Sequence, residues 1–375
     1  MKFVLAPDSF KESLTAKEVA DAMEVGIKKI FKDAECVKVP MADGGEGTVQ
    51  SLVDATDGKI YEVVVTGPLG NKVNAKYGIL GDGQTAVIEM AEASGIHYVK
   101  KEDRNPLITT TFGTGELIKS ALDKGVKKII IGIGGSATND GGAGMLQALG
   151  AKLLDKDNKE IPFGGGGLSE LVKINLDDFD KRIKEVEIEV ACDVSNTLTG
   201  KEGASAVFGP QKGATEEIIK ILDENLHHYA DIVNKTIGKD MENQKGSGAA
   251  GGLGFALLAF CDGKLNRGID IVIKYADLSE KMKGASYVIT GEGSIDSQTK
   301  FGKTPFGVLQ VAKQYDIPVI GIAGNVGEGI DELYDLGFDS ILSIMPGVVT
   351  LDKALSNAKE NIENTLENVA RLLSI

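Results

Sequence analysis

Short apolar runs alternate with stretches of helical spacing at both ends of the chain. Phe3-Val4-Leu5-Ala6 reads as a buried strand, and Thr15 with Glu18 opens a helix carrying Val19, Met23, Ile27 and Ile30 on one face. Cys36–Val39 reads as a second strand and Glu46–Ala55 as a second helix. The rhythm returns near the C-terminus: strands at Tyr287–Thr290, Val319–Ala323 and Ser340–Ile344, with a helix opened by a Thr304 cap and Pro305. Glu328–Leu336 reads as another helix, and Leu351–Leu373 as a long closing one. The middle differs. Tyr61–Val65 and Tyr77–Ile79 alternate like an antiparallel hairpin, Lys127–Ile133 and Ile188–Ala191 are apolar strands, and Thr215–Lys235 is an amphipathic helix.

The expected architecture is α/β, with two domains. Residues 1–60 and 285–375 form a discontinuous Rossmann-like parallel-sheet domain, and residues 61–284 an inserted mixed α/β domain. A cleft between them is the expected active site.

Composition narrows the function. The 375 residues carry 41 basic and 55 acidic side chains, a net charge of −14, which argues against nucleic acid or an anionic membrane as partner. No apolar run approaches the ~18 residues of a spanning helix, and the first residues are too short for a signal peptide's apolar core. Three scattered cysteines make neither a disulfide framework nor a zinc cluster, so a cytoplasmic location is expected. The 48 glycines are in excess and cluster beside apolar runs, where backbone can approach a ligand.

Those clusters carry the candidate chemistry. Asp8, Ser9 and Lys11 follow the first strand, where a hydroxylated anion could be held; the plain alternative is a turn. Asp43 and Glu46 flank glycines after the second strand, and Glu292 and Asp296 lie on a glycine-loosened turn after a later one. Either pair suits Mg²⁺ or substrate hydroxyls. The segment from Ile131 to Gly144 is the richest. Gly134, Gly135, Ser136, Thr138, Asn139 and Asp140 form a glycine-and-hydroxyl loop between strand and helix, suited to a phosphate. Gly132, Gly134 and Ala137 loosely match a dinucleotide fingerprint, but Gly141-Gly142 would interrupt the helix such a fold needs. Asp193 at a strand end is a candidate general base or magnesium ligand. Lys212 could neutralise a phosphate, or be an exposed loop lysine; Arg267 could grip a carboxylate, or form a surface ion pair. A Walker A loop is excluded, because its first glycine would fall on Ser297. His97, His227 and His228 lie in surface or structural settings, which disfavours a histidine triad.

Taken in order, APDSFK, PMADGGEGT, GGSATNDGGAGMLQALG, ACDV, VFGPQKGA, GAAGGLG and TGEGSID resemble the type I glycerate kinases of bacteria across nearly the whole chain. Glu12 stands where that family usually has glycine, and Thr197 where Pro is usual. The resemblance implies ATP-dependent phosphorylation of D-glycerate with Mg²⁺, at the 2-hydroxyl, with 3-phosphoglycerate as the alternative product. For such a transfer the Gly134–Asp140 loop is expected to hold the ATP phosphates, and Asp193 is the candidate to accept the hydroxyl proton. Lys11 and Lys212 would neutralise phosphate or carboxylate while Ser9 orients glycerate, and acids among Asp43, Glu46, Glu292 and Asp296 would hold Mg²⁺. It leaves the oligomeric state open, a homodimer included. Two readings of other classes stay in view: an NAD(P)-dependent hydroxyacid dehydrogenase, and a non-catalytic sugar-acid sensor.

Overall fold

Strand Lys2–Leu5 is buried from Phe3 onward, as an apolar run in a parallel sheet requires. It sits between two parallel neighbours, Glu35–Lys38 and Tyr287–Ile295, in a five-stranded sheet. The order runs Ser340–Ser343, Val319–Val326, Tyr287–Ile295, Lys2–Leu5, Glu35–Lys38. The computed structural model describes Met1–Ile375. Its chain divides into two compact units, Met1–Gly58 with Arg267–Ile375, and Lys59–Asn266.

The first unit closes on helix Ala16–Lys28. Its Thr15–Glu18 capping box is fully formed, and Val19, Met23 and Ile27 meet Ile362 and Leu366 of helix Ala358–Leu373 in one core. Two expectations change here. The closing helix is broken at Asn357 into Leu351–Ser356 and Ala358–Leu373. The strand opened by Tyr287 does not turn at its glycines but runs on to Ile295, paired with Val319–Val326. Gly291 permits this, since a Cβ there would lie 2.3 Å from the Ile322 carbonyl oxygen. Residues 267–284, read from sequence as part of the insertion, form helices Gly268–Tyr275 and Leu278–Met282 of the first unit.

The second unit is a six-stranded mixed sheet. Lys264–Asn266, Glu187–Ala191, Lys128–Gly132 and Thr85–Glu89 run parallel, then Lys72–Ile79 and Lys59–Thr66 complete an antiparallel meander. Tyr61 stands opposite Tyr77, so the hairpin register follows the alternation in the sequence. Its core gathers Ile129 and Ile131 with Leu117, Leu226 and Phe255 from the covering helices. No helix of the chain is long and apolar enough to cross a membrane.

Candidate functional site

In the first unit, the connection from Lys2–Leu5 leads to one side of the sheet and that from Tyr287–Ile295 to the other. An open α/β sheet offers a ligand crevice at such a switch, outside the carboxyl ends of the strands. Backbone pairing continues there: Asp8 N–H donates to the Gly291 carbonyl (2.8 Å) and Met41 N–H to that of Pro7 (2.9 Å). These bonds hold Asp8 between the two neighbouring chains. Its Oδ1 accepts from Ser9 N–H at 2.6 Å, and its Oδ2 from the Thr304 hydroxyl at 2.5 Å. Thr304 is the first residue of helix Thr304–Lys313 rather than its cap, so its hydroxyl is spent on Asp8. Burial, helped by the charge of Asp43, pushes the Asp8 carboxyl up to about 6. Glu292 lies beside it, accepting from Thr299 Oγ1 at 3.1 Å and Lys303 Nζ at 3.4 Å. Burial raises it to about 7, with Asp8 adding to the rise and Lys303 opposing it. The crevice can hold hydroxyls and share protons near neutral pH.

In the second unit, strand Lys128–Gly132 delivers the glycine loop to the same end of the sheet as Glu187–Ala191, Gly132 standing beside Ala191. Gly134 and Gly135 are exposed, and the backbone N–H groups of Gly134, Gly135 and Ser136 donate to no protein acceptor. A Cβ on Gly134 would meet nothing within 4 Å, so neither packing nor a positive φ accounts for glycine there. Room for an anion does. Beneath the loop lies Lys212, buried rather than an exposed loop lysine. Its Nζ donates to Ser136 Oγ at 2.7 Å and to the Thr138 carbonyl at 2.6 Å. Burial pulls this ammonium down to about 7, against the nearby charge of Asp140.

Asp140 faces inward. Its oxygens accept from Thr111 N–H and Oγ1 and from the N–H groups of Gly142 and Gly144, the last at the start of helix Ala143–Ala148. It therefore holds the loop's exit, tying Thr111 to the start of the helix. Asn139 is buried with Nδ2 on Ser205 Oγ (3.0 Å), while Asn139 Oδ1, Thr138 Oγ1 and the Tyr229 hydroxyl are buried without a partner.

The remaining candidates are dispersed. Lys11 and Glu46 are exposed. Asp296 Oδ1 accepts from Gln298 N–H, an Asx turn after the strand. Arg267 precedes helix Gly268–Tyr275 and faces Asp270 at 3.8 Å, a loose surface pair. Asp193 is exposed just past the end of Glu187–Ala191, in the second unit. Asp43, Glu46, Glu292 and Asp296 are not gathered into a metal-holding set, and no group of three or more His, Cys, Asp or Glu side chains is. A dedicated Mg²⁺ cage does not fit these residues.

Sequence reasoning missed Thr304, Thr299, Thr111 and Tyr229. The adjacent Thr109, Thr110 and Thr111, all buried, were a readable signal, since three threonines together seldom enter a core without a polar task. Thr304 had no local signal, because its acid partner Asp8 is distant in sequence, whereas Thr299 lies only seven residues from Glu292, within the same polar segment.

An α/β protein with an open backbone loop over a buried lysine is built to hold a small anion, and comparison with known proteins makes the class specific. The glycerate kinase family model matches residues 3–374. The glycerate kinase of Bacillus subtilis (strain 168) is 56% identical over all of this chain and 98% of its own length. The glycerate 2-kinase of Escherichia coli (strain K12) is 54% identical, again over 100% and 98%. The crystal structure of a Salmonella typhimurium LT2 protein assigned as glycerate kinase 2 superposes with a TM-score of 0.92 at 54% identity, covering 100% of this chain and 98% of that one. The fold is thus that of a kinase. The chain belongs to the glycerate kinase family.

Proposed function

We propose that this enzyme transfers the γ-phosphoryl group of ATP to the 2-hydroxyl of D-glycerate, releasing ADP and 2-phosphoglycerate. The observation that carries the acceptor position is the full-length 54% identity with the relative named glycerate 2-kinase. The nucleotide side rests on the three unsatisfied N–H groups at Gly134–Ser136 with Lys212 behind them. Lys212 acts there by fixing Ser136 and Thr138 and by supplying positive charge beneath the phosphates. Asp140 shapes the loop, and Thr138 and Asn139 keep a buried acceptor each for the bound state.

Phosphoryl transfer is chiefly positioning and charge stabilisation. Asp193, at the same sheet end as the loop, takes the proton leaving the glycerate hydroxyl. Asp8, Ser9, Lys11 and Arg267 are assigned to the acid's hydroxyl and carboxylate groups. Mg²⁺ enters as the counter-ion of ATP, since it keeps its waters and takes only one or two carboxylates. The three cysteines are free, which suits a reducing cytoplasm.

Coupled detection of ADP tests this reading. ADP should appear only when D-glycerate and ATP are both present, and Asp193→Asn should lose at least ~100-fold in kcat with ATP affinity little changed. Formation of NADH from NAD⁺ and glycerate would support the dehydrogenase instead, and absence of any turnover the sensor. A near-normal kcat in Asp193→Asn would remove Asp193 as the base.

A further inference from the structure

Three carbonyls of the glycine loop in the second unit are each held by a donor from elsewhere in that unit. Ile96 N–H donates to the Gly135 carbonyl at 2.9 Å, the Thr109 hydroxyl to that of Ala137 at 2.8 Å, and Lys212 Nζ to that of Thr138 at 2.6 Å. In a trans peptide the carbonyl and the following N–H point to opposite sides, and the chain has no cis bond. Each held carbonyl therefore turns the next N–H away from its holder: those of Ser136, Thr138 and Asn139. None of the three donates to a protein acceptor. The one reversed peptide behaves accordingly. Ala137 N–H is spent on the Ser94 carbonyl (2.9 Å), and the Ser136 carbonyl before it accepts from no protein donor.

Two of those N–H groups belong to wholly buried residues, Thr138 and Asn139. Buried N–H groups without an acceptor are rare in folded proteins. Two in succession, following the open N–H groups of Gly134–Ser136, are donors for an acceptor-rich ligand. Thr138 Oγ1, also buried without a partner, adds a further donor.

Of the three holders, Ile96 acts through its main chain and Lys212 belongs to the proposed nucleotide site already, which leaves Thr109. Its segment is fixed from both sides. Gly165 and Gly166 N–H donate to the Pro106 and Leu107 carbonyls (3.2 and 2.9 Å), and Thr110 N–H donates to the carbonyl of Pro68 (3.0 Å). Thr109 is buried, and its hydroxyl makes one bond, to Ala137. We propose that Thr109 is a positioning residue of the nucleotide site: by holding the Ala137 carbonyl it aims Thr138 N–H at a phosphate of the bound nucleotide, extending the cradle beyond Gly134–Ser136. This rests on the assignment of the glycine loop to the phosphates of ATP. Thr109 itself touches no nucleotide. Without its hydroxyl the Ala137–Thr138 peptide is free to rotate and turn its carbonyl oxygen, a partial negative charge, toward the same phosphate.

Titration calorimetry of the intact enzyme with Mg²⁺ and a non-hydrolysable ATP analogue tests the proposal. Thr109→Val, matched in shape, should bind the analogue about tenfold more weakly, the loss of roughly one hydrogen bond. Thr109→Ser, which keeps the hydroxyl, should bind it like the wild type. In Thr109→Val the KM for ATP should rise in the same proportion while that for D-glycerate stays unchanged. A second readout needs no variant: in wild type isotopically labelled at threonine nitrogen, the Thr138 amide resonance should move downfield when the analogue binds. A Thr109→Val variant of wild-type affinity, a Thr109→Ser variant as weak as Thr109→Val, or an unmoved Thr138 amide would each overturn the proposal and leave the nucleotide reading intact. A wild type that binds no analogue would remove that reading, and the role of Thr109 with it.

Discussion

A carboxyl group buried beside another carboxyl keeps its proton to higher pH, and Glu292 and Asp8 are such a pair. Glu292 titrates at about 7 when folded against 4.5 ordinarily, so the native state binds the extra proton between those values. Its contribution to stability is therefore whole below about pH 4.5 and lost as pH rises through 7. Glu292→Gln removes that loss, so the variant should gain on the order of 2 kcal/mol relative to wild type between pH 5 and 8. Urea unfolding at the two pH values checks it, and an equal difference at both would show no raised carboxyl. Lys212 poses a different question. Its Nζ is engaged by Ser136 and Thr138, so Lys212→Met should let the loop relax and raise the KM for ATP about tenfold, ~1.4 kcal/mol. Steady-state kinetics would show it; an unchanged KM would take Lys212 out of the nucleotide site. That Lys212 is buried was not legible, because a lysine after Gly-Pro-Gln looks like surface. Glu12 was more informative: it sits at φ +63°, a left-handed conformation that explains glycine's usual place there in the family motif.

At the scale of elements, two glycines of the candidate loops should behave oppositely. A Cβ on Gly134 meets nothing within 4 Å, whereas on Gly251, at φ +67°, it would lie 2.0 Å from the Thr138 carbonyl oxygen. Gly251→Ala should thus cost on the order of 3 kcal/mol by displacing backbone. Gly134→Ala should leave the melting temperature nearly unchanged but weaken ATP binding, by blocking the approach of phosphate. Differential scanning calorimetry with nucleotide titration separates the two. If Gly134→Ala bound ATP normally, the open N–H loop would not be the phosphate site. Strands with apolar runs, such as Lys2–Leu5, were legible because both faces are buried from Phe3 onward. The far half of Tyr287–Ile295 was not. Gly291 and Gly293 signal a turn locally, and only pairing with Val319–Val326 makes them strand. The break at Asn357 was hidden for a related reason, since apolar spacing persists through it.

At the scale of the whole molecule, the discontinuous first unit could be read because both termini carry the same strand-helix rhythm. The second sequence boundary was less legible, since helices Gly268–Tyr275 and Leu278–Met282 carry apolar residues that would suit either unit. Net charge argued against nucleic acid or an anionic membrane as partner but gave no substrate; that came from the ordered motifs and the family they share. The central claim concerns where one phosphoryl group ends. Phosphorus NMR of a reaction containing ATP, Mg²⁺ and D-glycerate reads this directly. A phosphate on the 2-position couples to one proton and should appear as a doublet, growing as ADP replaces ATP. A triplet, from phosphate on the CH₂ of the 3-position, or no phosphorus attached to glycerate, would contradict the account.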